Sequence, residues 1–453
     1  MISPLLLAPP AAPRAPRARR LALTVGPAAR LAAPPLGVAH VAWQDPDGTL
    51  WVGCGRAAAW VVGSSTEARA AAGYEALDRC REALAQLPEA ASGLRAFGAL
   101  AFDPAFPVDP YGASVDLAAF AVPRWLLRVP ASAVTRGGPA EAWVACGPDE
   151  PADQLEREAV ALAAWAGRPS PPAVVPRGML VPDETDRLDY EEAVRQALDA
   201  IRGGALEKVV LARPRFVEAA GHLPPWPLFL ALAHRAPSTA RFLLVEPEGG
   251  AFLGASPECL VALEGQAVRA DVLAGTTPRD RDAAVDAARA EALRACPKNR
   301  HEHGLVREAV LATLKPFTTA LQAPEQPRLL PLPNVWHLHT AVSGRLSEAA
   351  TLGRLVRALH PTPAVGGTPR DRALELLAEL ERAGRGCYAA PVGWVGRDAA
   401  YMAVGIRSAH LRGNRAVALA GAGIVEGSDP TAEWLETERK LAPMLTALTG
   451  GAP

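Results

Sequence analysis

The sequence has no excess of charge of either sign and no long apolar run. Its 453 residues include 47 Lys and Arg against 48 Asp and Glu, which leaves a formal net charge of -1. This balance gives no reason to expect nucleic acid or an anionic membrane as the main partner. No apolar run reaches the roughly 18 residues that a membrane-spanning helix needs. No membrane span is therefore predicted.

Two kinds of cofactor motif are also missing. The six cysteines form no Cys-x-x-Cys pair, which argues against zinc ribbons and redox dithiols and fits free thiols in a reducing cytoplasm. No Gly-rich phosphate loop of the Walker or dinucleotide type is present, so nucleotide use is not indicated. At the N-terminus a short apolar run precedes Pro and Arg, the reverse of the order in a signal peptide. We expect a cytoplasmic protein.

Composition divides the chain into four segments. With 49% hydrophobic residues, a chain of this length can bury one large hydrophobic core or two adjoining cores. Residues 1–36 are rich in Pro and Arg and are interpreted as a tail. Residues 37–166 mix strand and helix patterns, begin with a hairpin around the turn DPDG, and form a scaffold region without an obvious reactive cluster. The Pro-rich residues 167–184 are interpreted as a linker, and residues 185–450 as the catalytic domain.

In the predicted catalytic domain, apolar segments in hairpin order alternate with whole helices. Asp189 and Glu192 are predicted to cap a helix over YEEAVRQALDAI, which the strand EKVVLARP follows. Further helices are predicted over EHGLVREAVLATL, SEAATLGRLVRAL, PRDRALELLAELER and TAEWLETERKLAPMLTAL. This order predicts an α+β layered fold with antiparallel-rich sheets and flanking helices, rather than a doubly wound fold.

One predicted helix carries two carboxylates and an ammonium on the same face. Glu433, Glu436 and Lys440 follow one another at steps of three and four residues. Such a pattern is common on solvated helices that carry ion pairs. The alternative is a magnesium site, because magnesium takes oxygen ligands and often uses one or two carboxylates.

A third carboxylate, Glu302, lies between His301 and His303 in the segment KNRHEH. The His-x-His pattern leaves a zinc site open, although the HExxH spacing is absent. An acidic residue between basic ones is equally ordinary on a helix surface. Taken alone, the segment does not decide between these interpretations.

A lysine and a glutamate in apolar settings are candidates for proton transfer. Lys208 lies within the strand pattern ALEKVVLARP, and Glu258 lies between GASP and CLVAL. In a pocket, desolvation would favour the neutral lysine, which can act as a general base, and would raise the pKa of the glutamate so that it can donate a proton. The alternative for Lys208 is a side chain that faces water.

Two further features could bind an anion. Arg407 lies in the strand pattern AVGIRSAHL, where a guanidinium could make a bidentate contact with a carboxylate. The segment GAGIV contains Gly421 and Gly423, whose backbone amides could approach an anion closely. Glycine could equally serve only the turn.

These segments together resemble the ordered motifs of the chorismate-utilising enzyme family, over roughly residues 190–448. The resemblance is specific because nine separated segments agree in order and spacing. They are ALEKVVLAR, LGASPE, LAGT, KNRHEH, WHL, HPTPAVGG, GIRSA, AGAGIV and EWLETERK. The family's fold implies two face-to-face β-sheets with helices outside.

The positions at which family members differ imply an isochorismate synthase, an isomerase. Lys208 matches the lysine with which isochorismate and salicylate synthases activate water. Ala274 of LAGT stands where aminodeoxychorismate synthases resemble one another in having a nucleophilic lysine, and the GRND-type segment of the amine-using members is missing. Ala364 and Val365 of HPTPAVGG match the isochorismate synthase version of a loop that helps to decide the product.

The resemblance also implies a role for each matching residue. Glu258 would be the general acid. Glu302 and Glu436 would bind Mg²⁺, with Glu433 as a near or water-mediated partner. The substrate chorismate would be held by Gly275, Thr276, His337, Ala364, Val365, Arg407, Gly421, Gly423 and Lys440. Asn299 and Gly304 depart from the common pattern, which puts local helix stability in doubt.

The expected activity is the magnesium-dependent isomerisation of chorismate to isochorismate, for menaquinone or siderophore biosynthesis. A monomer without a glutaminase subunit is expected. Salicylate synthase, which eliminates pyruvate, and anthranilate or aminodeoxychorismate synthase component I are the alternatives within the family. A zinc hydrolase built on HEH and a catalytically silent scaffold are the alternatives from other classes.

Overall fold

A computed structural model describes residues 15–28, 31–35, 37–61, 66–103, 119–168, 177–181, 186–236, 238–381 and 384–451. Within these ranges the chain forms 22 strands: β1 (Arg17–Val25), β2 (His40–Gln44), β3 (Leu50–Cys54), β4 (Ala58–Val61), β5 (Arg95–Ala99), β6 (Ala119–Val122), β7 (Trp125–Val129), β8 (Gly138–Cys146), β9 (Gly178–Leu180), β10 (Lys208–Ala219), β11 (Ala240–Val245), β12 (Gly250–Ser256), β13 (Cys259–Glu264), β14 (Ala267–Pro278), β15 (Thr318–Gln322), β16 (Arg328–Pro331), β17 (Val335–Leu346), β18 (Gly367–Thr368), β19 (Pro391–Gly396), β20 (Ala399–Val404), β21 (Ser408–Arg412) and β22 (Arg415–Val425).

The same ranges contain ten α-helices and two short 3₁₀ turns. The helices are α1 (Thr66–Ala85), α2 (Ala131–Val134), α3 (Gln154–Ala166), α4 (Asp186–Arg202), α5 (Pro225–Arg235), α6 (Ala283–Ala295), α7 (Pro297–Leu314), α8 (Leu352–Leu359), α9 (Arg370–Leu380) and α10 (Pro430–Thr449). The 3₁₀ turns are Glu89–Ala91 and Lys315–Phe317. None of the described helices combines the length and the apolar character that a membrane crossing requires.

The strands form two sheets in which the neighbouring strands are antiparallel. The larger sheet has 12 strands in the order β1-β8-β7-β3-β2-β11-β12-β21-β22-β10-β18, and β9 pairs with β10. The smaller sheet has ten strands in the order β15-β17-β14-β13-β20-β19-β5-β6-β4, and β16 pairs with β17. Hairpin connections between successive strands explain why the apolar segments in the sequence follow one another with only short turns between them.

The two sheets pack face to face. Trp43 of β2 stacks on Phe242 of β11 with ring centroids 6.2 Å apart, and meets Tyr401 of β20, in the other sheet, edge-on at 5.8 Å. Along β12, the side chain of Phe252 joins this inner core, whereas Leu253 joins a second core on the outer face of the larger sheet. Since successive side chains point to opposite faces, both faces of this strand are buried.

Helices cover the outer faces of the sheets. The second core is formed between the larger sheet and α3, α5 and α10. Helix α7 lies against β14, and α8 against β13, in the smaller sheet. The prediction of an α+β fold, with two face-to-face antiparallel sheets and flanking helices, is therefore confirmed.

Strands of the N-terminal region belong to both sheets. Strand β2 pairs with β11, and β5 pairs with β19, so residues 37–166 and the predicted catalytic domain share their sheets. The interpretation of residues 1–36 as a tail is wrong for residues 17–25, because β1 pairs with β8 along its whole length. Residues 178–180 of the predicted linker likewise form β9, which pairs with β10. Backbone pairing at an exposed sheet edge outweighs local composition in both cases.

Three helix starts differ from the prediction, and α7 begins at Pro297 rather than at Glu302. Helix α4 begins at Asp186 rather than after Asp189, and its first turn contains an ion pair between Arg187 and Glu191 at 2.9 Å. Helix α8 begins at Leu352 rather than near residue 347, because the hydroxyl of Thr351 accepts a hydrogen bond from Arg354 N and caps the helix.

Candidate active site

A cleft with about 570 Å³ of empty space opens where the two sheets meet. Strands β10 and β22 of the larger sheet contribute to one wall, β14 and β17 of the smaller sheet to the other, and α7 and α10 add charged side chains. Of the predicted site residues, those that line the cleft are Glu258, Gly275, Thr276, Glu302, His337, Ala364, Val365, Arg407, Gly421, Gly423, Glu436 and Lys440. The fold thus brings together predicted residues from eight of the nine motifs.

Lys208 lies directly behind this lining. Its side chain is fully buried on β10, and its Nζ atom lies 2.9 Å from Oε1 of Glu302 on α7. A side chain at Gly423 would collide with Glu302 Oε1 and would approach Lys208 Cε to 3.1 Å. Glycine at position 423 therefore keeps open the space in which the ammonium and the carboxylate meet.

Glu302 remains a carboxylate in this environment. Burial alone raises the pKa of Glu302, but the ammonium of Lys208, together with Lys440 and Lys298, brings that pKa below its usual value. An ionised carboxylate on one wall of the cleft can serve as a ligand for a cation.

Glu258 has the opposite character. It is 3% exposed and lies between β12 and β13, where its backbone N–H donates to Ser256 Oγ at 3.2 Å. Burial, followed by the charge of Asp271, raises the pKa of Glu258 to about 8, while Lys208 and Arg407 act in the other direction. At neutral pH this side chain is therefore protonated and can donate a proton into the cleft.

His337 and Arg407 form a fixed pair of polar side chains. Arg407 Nη2 donates to His337 Nε2 at 3.2 Å, so Nδ1 carries the ring hydrogen and faces Thr276 Oγ1 at 3.0 Å. Burial, followed by the charges of Arg407 and Lys440, lowers the pKa of His337, which agrees with a neutral ring. Arg407 has φ of 54°, an uncommon left-handed conformation for a residue other than glycine.

Helix α10 presents its acidic face to the cleft and to α7. Glu436 accepts from Lys440 Nζ at 2.7 Å, and the same ammonium donates to Gly421 O at 2.8 Å. Glu433 is set back from the cleft lining and accepts from Lys298 Nζ at 2.7 Å. Burial, followed by the charge of Glu436, raises the pKa of Glu433. The face is therefore a partly buried ionic cluster, with Glu433 as its buried member.

The donor atoms suit magnesium better than zinc. Within the described ranges, no group of three or more His, Cys, Asp or Glu side chains is arranged to hold a metal ion. Two carboxylates, Glu302 and Glu436, line the same cleft, and a magnesium ion commonly uses one or two carboxylates with water and substrate. Each of the two now faces a lysine, so a cation would have to replace that contact.

The zinc interpretation of HEH fails on geometry. His301 is exposed, whereas His303 is buried. The two ring nitrogens of His303 lie 3.2 Å from Ala274 O and 2.8 Å from Thr340 Oγ1. Since both nitrogens are occupied and the two histidines lie in different environments, they form no metal site together.

Two charged or polar residues of the cleft were not predicted. Arg385 is buried, forms an ion pair with Glu381 at 2.5 Å, and donates a hydrogen bond to Val365 O at 2.7 Å. These contacts fix the position of the loop that contains Val365. Tyr388 lines the cleft and bonds to the backbone of Gly421. In the sequence, Arg385 could have been noticed only because it follows Glu381 by four residues. That spacing is also common for ion pairs on helix surfaces, so it did not single out this pair.

The two departures from the family pattern do not break the helix. Helix α7 runs without interruption through Asn299 and Gly304. Asn299 Cβ would lie 3.3 Å from a Cβ at Gly275, and a Cβ at Gly304 would meet no atom within 4 Å. The helix therefore accommodates both residues.

The chain is similar to known proteins over most of its length. A family model described as "Chorismate binding enzyme" matches residues 30–449. The isochorismate synthase MenF of Bacillus subtilis is 31% identical over 421 residues, which are 90% of this chain and 87% of the relative. The salicylate biosynthesis isochorismate synthase of Pseudomonas aeruginosa is 40% identical over 285 residues, 62% of this chain and only 59% of that relative's own length.

A solved structure is also similar to this chain over nearly its whole length. The menaquinone-specific isochorismate synthase MenF of Escherichia coli superimposes with a TM-score of 0.77 at 27% identity and covers 96% of both chains. The family match includes nearly all of the chain and every residue of the cleft. The chain therefore belongs to the chorismate-binding enzymes, and the three relatives described above are isochorismate synthases.

Proposed function

We propose that the protein isomerises chorismate to isochorismate and is thus an isochorismate synthase. The observation that carries this proposal is the position of Glu258 in the lining of the cleft and of Lys208 directly behind that lining, on different elements, the junction of β12 with β13 and β10. A base and an acid so arranged can add water and remove a hydroxyl in one reaction.

In this mechanism Lys208 acts in its neutral form, so its ammonium first gives up a proton. The amine then takes a proton from a water molecule as the oxygen of that water bonds to the cyclohexadiene ring. Glu258, whose raised pKa of about 8 keeps it protonated at neutral pH, donates a proton to the departing hydroxyl, which leaves as water. The ring double bonds shift between the two positions. One water is consumed and one is released, so the reaction is an isomerisation.

The substrate has two carboxylates, and the cleft offers separate groups for them. Arg407 lines the cleft beside the neutral His337, and a guanidinium is suited to a bidentate carboxylate contact. Glu302 and Glu436 are the residues that would hold Mg²⁺. A bound magnesium ion would offset the negative charge of the second carboxylate at the acidic end of the cleft.

Ala274 counts against an aminodeoxychorismate synthase, and together with Lys208 and the missing GRND-type segment it supports a water-adding reaction over an amine-using one. It lines the cleft in the LAGT segment and is 7% exposed, where the aminodeoxychorismate synthases resemble each other in having a lysine. A methyl group at this position presents no nucleophile. We propose on this basis that the enzyme works without ammonia and without a glutaminase partner.

The test is product analysis after chorismate and Mg²⁺ are added to the purified protein. Isochorismate alone is the expected product, with loss of formation in Lys208→Ala and Glu258→Gln. Salicylate with pyruvate would replace the proposal by salicylate synthase, and anthranilate formed with ammonia would replace it by an amine-using enzyme. No turnover in any of these assays would favour a silent scaffold.

The relatives' names suggest two routes for the product, since one is named for menaquinone and one for salicylate biosynthesis. We propose that isochorismate from this enzyme enters menaquinone or siderophore biosynthesis. Loss of one of these compounds after disruption of the gene would decide between the two routes.

A further inference from the structure

An acidic residue, Asp271, lies near Glu258 at the side of the cleft lining. Asp271 precedes the cleft-lining Leu273 by two residues on β14, so both side chains lie on the same face of the strand. Asp271 Oδ2 accepts a hydrogen bond at 3.3 Å from the backbone N–H of Cys259, the residue directly after Glu258. The carboxylate thus holds the backbone that carries Glu258.

A histidine holds Asp271 from the other side. His339 of β17, whose neighbour across the sheet is Leu273, has its Nε2 atom 3.0 Å from Asp271 Oδ1. Arg328 Nε donates to the other ring nitrogen, Nδ1, at 2.8 Å. Since Nδ1 is the acceptor, Nε2 must carry the hydrogen and donate it to Asp271.

The charge of Asp271 acts on several neighbours. After burial, it is the next largest influence that raises the pKa of Glu258, and it also raises the pKa of the Cys259 thiol and of Tyr401. The charged groups that oppose it at Glu258 are Lys208, Arg407 and Lys440. Arg269 is the cation that faces the Cys259 side.

We propose that Asp271, oriented by His339 and Arg328, is a positioning residue that holds the backbone next to Glu258 and directs its negative charge toward the Glu258 carboxyl. This proposal rests on the proposed function, because it assigns Asp271 a part in the same reaction. In the reaction, Asp271 acts only through Glu258 and the backbone of Cys259. His339 and Arg328 act one step further away, by fixing the direction of its carboxylate.

The substitution Asp271→Asn tests the proposal because it removes the charge and nearly keeps the shape. The expected result is that the decline of kcat/KM at high pH moves to lower pH by about one unit. Asp271→Glu keeps the charge and should leave the midpoint near its original pH. Asp398→Asn, at a side chain that is 78% exposed, is the matched control and should shift nothing.

A purely structural role for Asp271 would lower kcat without moving the midpoint, and that result would overturn the proposal. If Asp271→Asn does not fold, Asp271→Ser removes the same charge and takes its place. The titration of the Glu258 carboxyl is also measured directly by carbon NMR on protein labelled in glutamate, with Glu258→Gln to assign the signal. This titration decides the role of Asp271 even if the wild-type protein makes no isochorismate.

Discussion

The Nζ atom of Lys208 and the Oε1 atom of Glu302 lie 2.9 Å apart behind Gly423. The proposed base is thus paired with a proposed ligand of the magnesium ion. The pair joins β10 in the larger sheet to α7, which packs on the smaller sheet. A change at either residue should therefore affect both proton transfer and the binding of the cation.

Lys208→Ala should abolish turnover while chorismate binding persists. The loss of a general base costs about 10²- to 10⁴-fold in kcat, and the carboxylate-binding groups of the cleft, such as Arg407, remain. Steady-state kinetics and calorimetric binding of chorismate measure the two effects. Turnover that stays within a few-fold of the wild type would remove Lys208 from the mechanism.

The pH dependence of kcat/KM should reveal Glu258. Its pKa is raised to about 8, and the acid must be protonated to donate, so activity should be present below this pH and should fall as the pH rises through it. Glu258→Gln should lower kcat by about 10²- to 10⁴-fold and remove this limb from the residual activity. A limb that persists in Glu258→Gln would belong to another group.

Gly423→Ala should inactivate the enzyme without unfolding it. The added Cβ would collide with Glu302 Oε1 and would crowd Lys208 Cε, so the ion pair must separate or move. Gly304→Ala is the matched control, because a Cβ there meets no atom within 4 Å. The control should stay active and, as a helix-interior Gly→Ala change, should gain about 1 kcal/mol in the free energy of unfolding.

Glu436→Gln should raise the Mg²⁺ concentration that gives half-maximal activity, because it removes a charged oxygen ligand from the cleft. The measurement is a magnesium titration after treatment with a chelator, and the chelated wild type should be inactive until magnesium returns. Glu438→Gln is the control on the same helix, since Glu438 pairs with Arg213 and does not line the cleft. An unchanged magnesium requirement in Glu436→Gln would exclude this residue as a ligand.

Much of the fold and the site could be predicted because the relevant patterns are local. The hairpin around DPDG became β2 and β3. The helices predicted over residues 302–314 and 431–448 from their apolar periodicity lie within α7 and α10. The incorrect predictions concern segments whose structure depends on pairing with a strand that is distant in the sequence. Residues 17–25 form a strand because β8 offers them an edge, and no short window of sequence contains that information.

Arg385 and Asp271 were missed for a related reason. Each is a single charged residue in an ordinary context, and its importance comes from what the fold places around it. Arg385 reaches the carbonyl of Val365, and Asp271 lies between Cys259 N–H and His339. Burial then makes these contacts strong, because an unpaired charge in a desolvated site is costly.

The sequence by itself determined the family and most of the order of the strands and helices, and it pointed to the proposed reactive groups, because side-chain chemistry and local periodicity are properties of residues and short segments. Only the tertiary structure decided the partners and protonation of these groups. Packing the two sheets together paired Lys208 with Glu302 and moved the pKa of Glu258 to about 8. Desolvation and charge depend on every neighbour at once, and those neighbours come from distant parts of the chain.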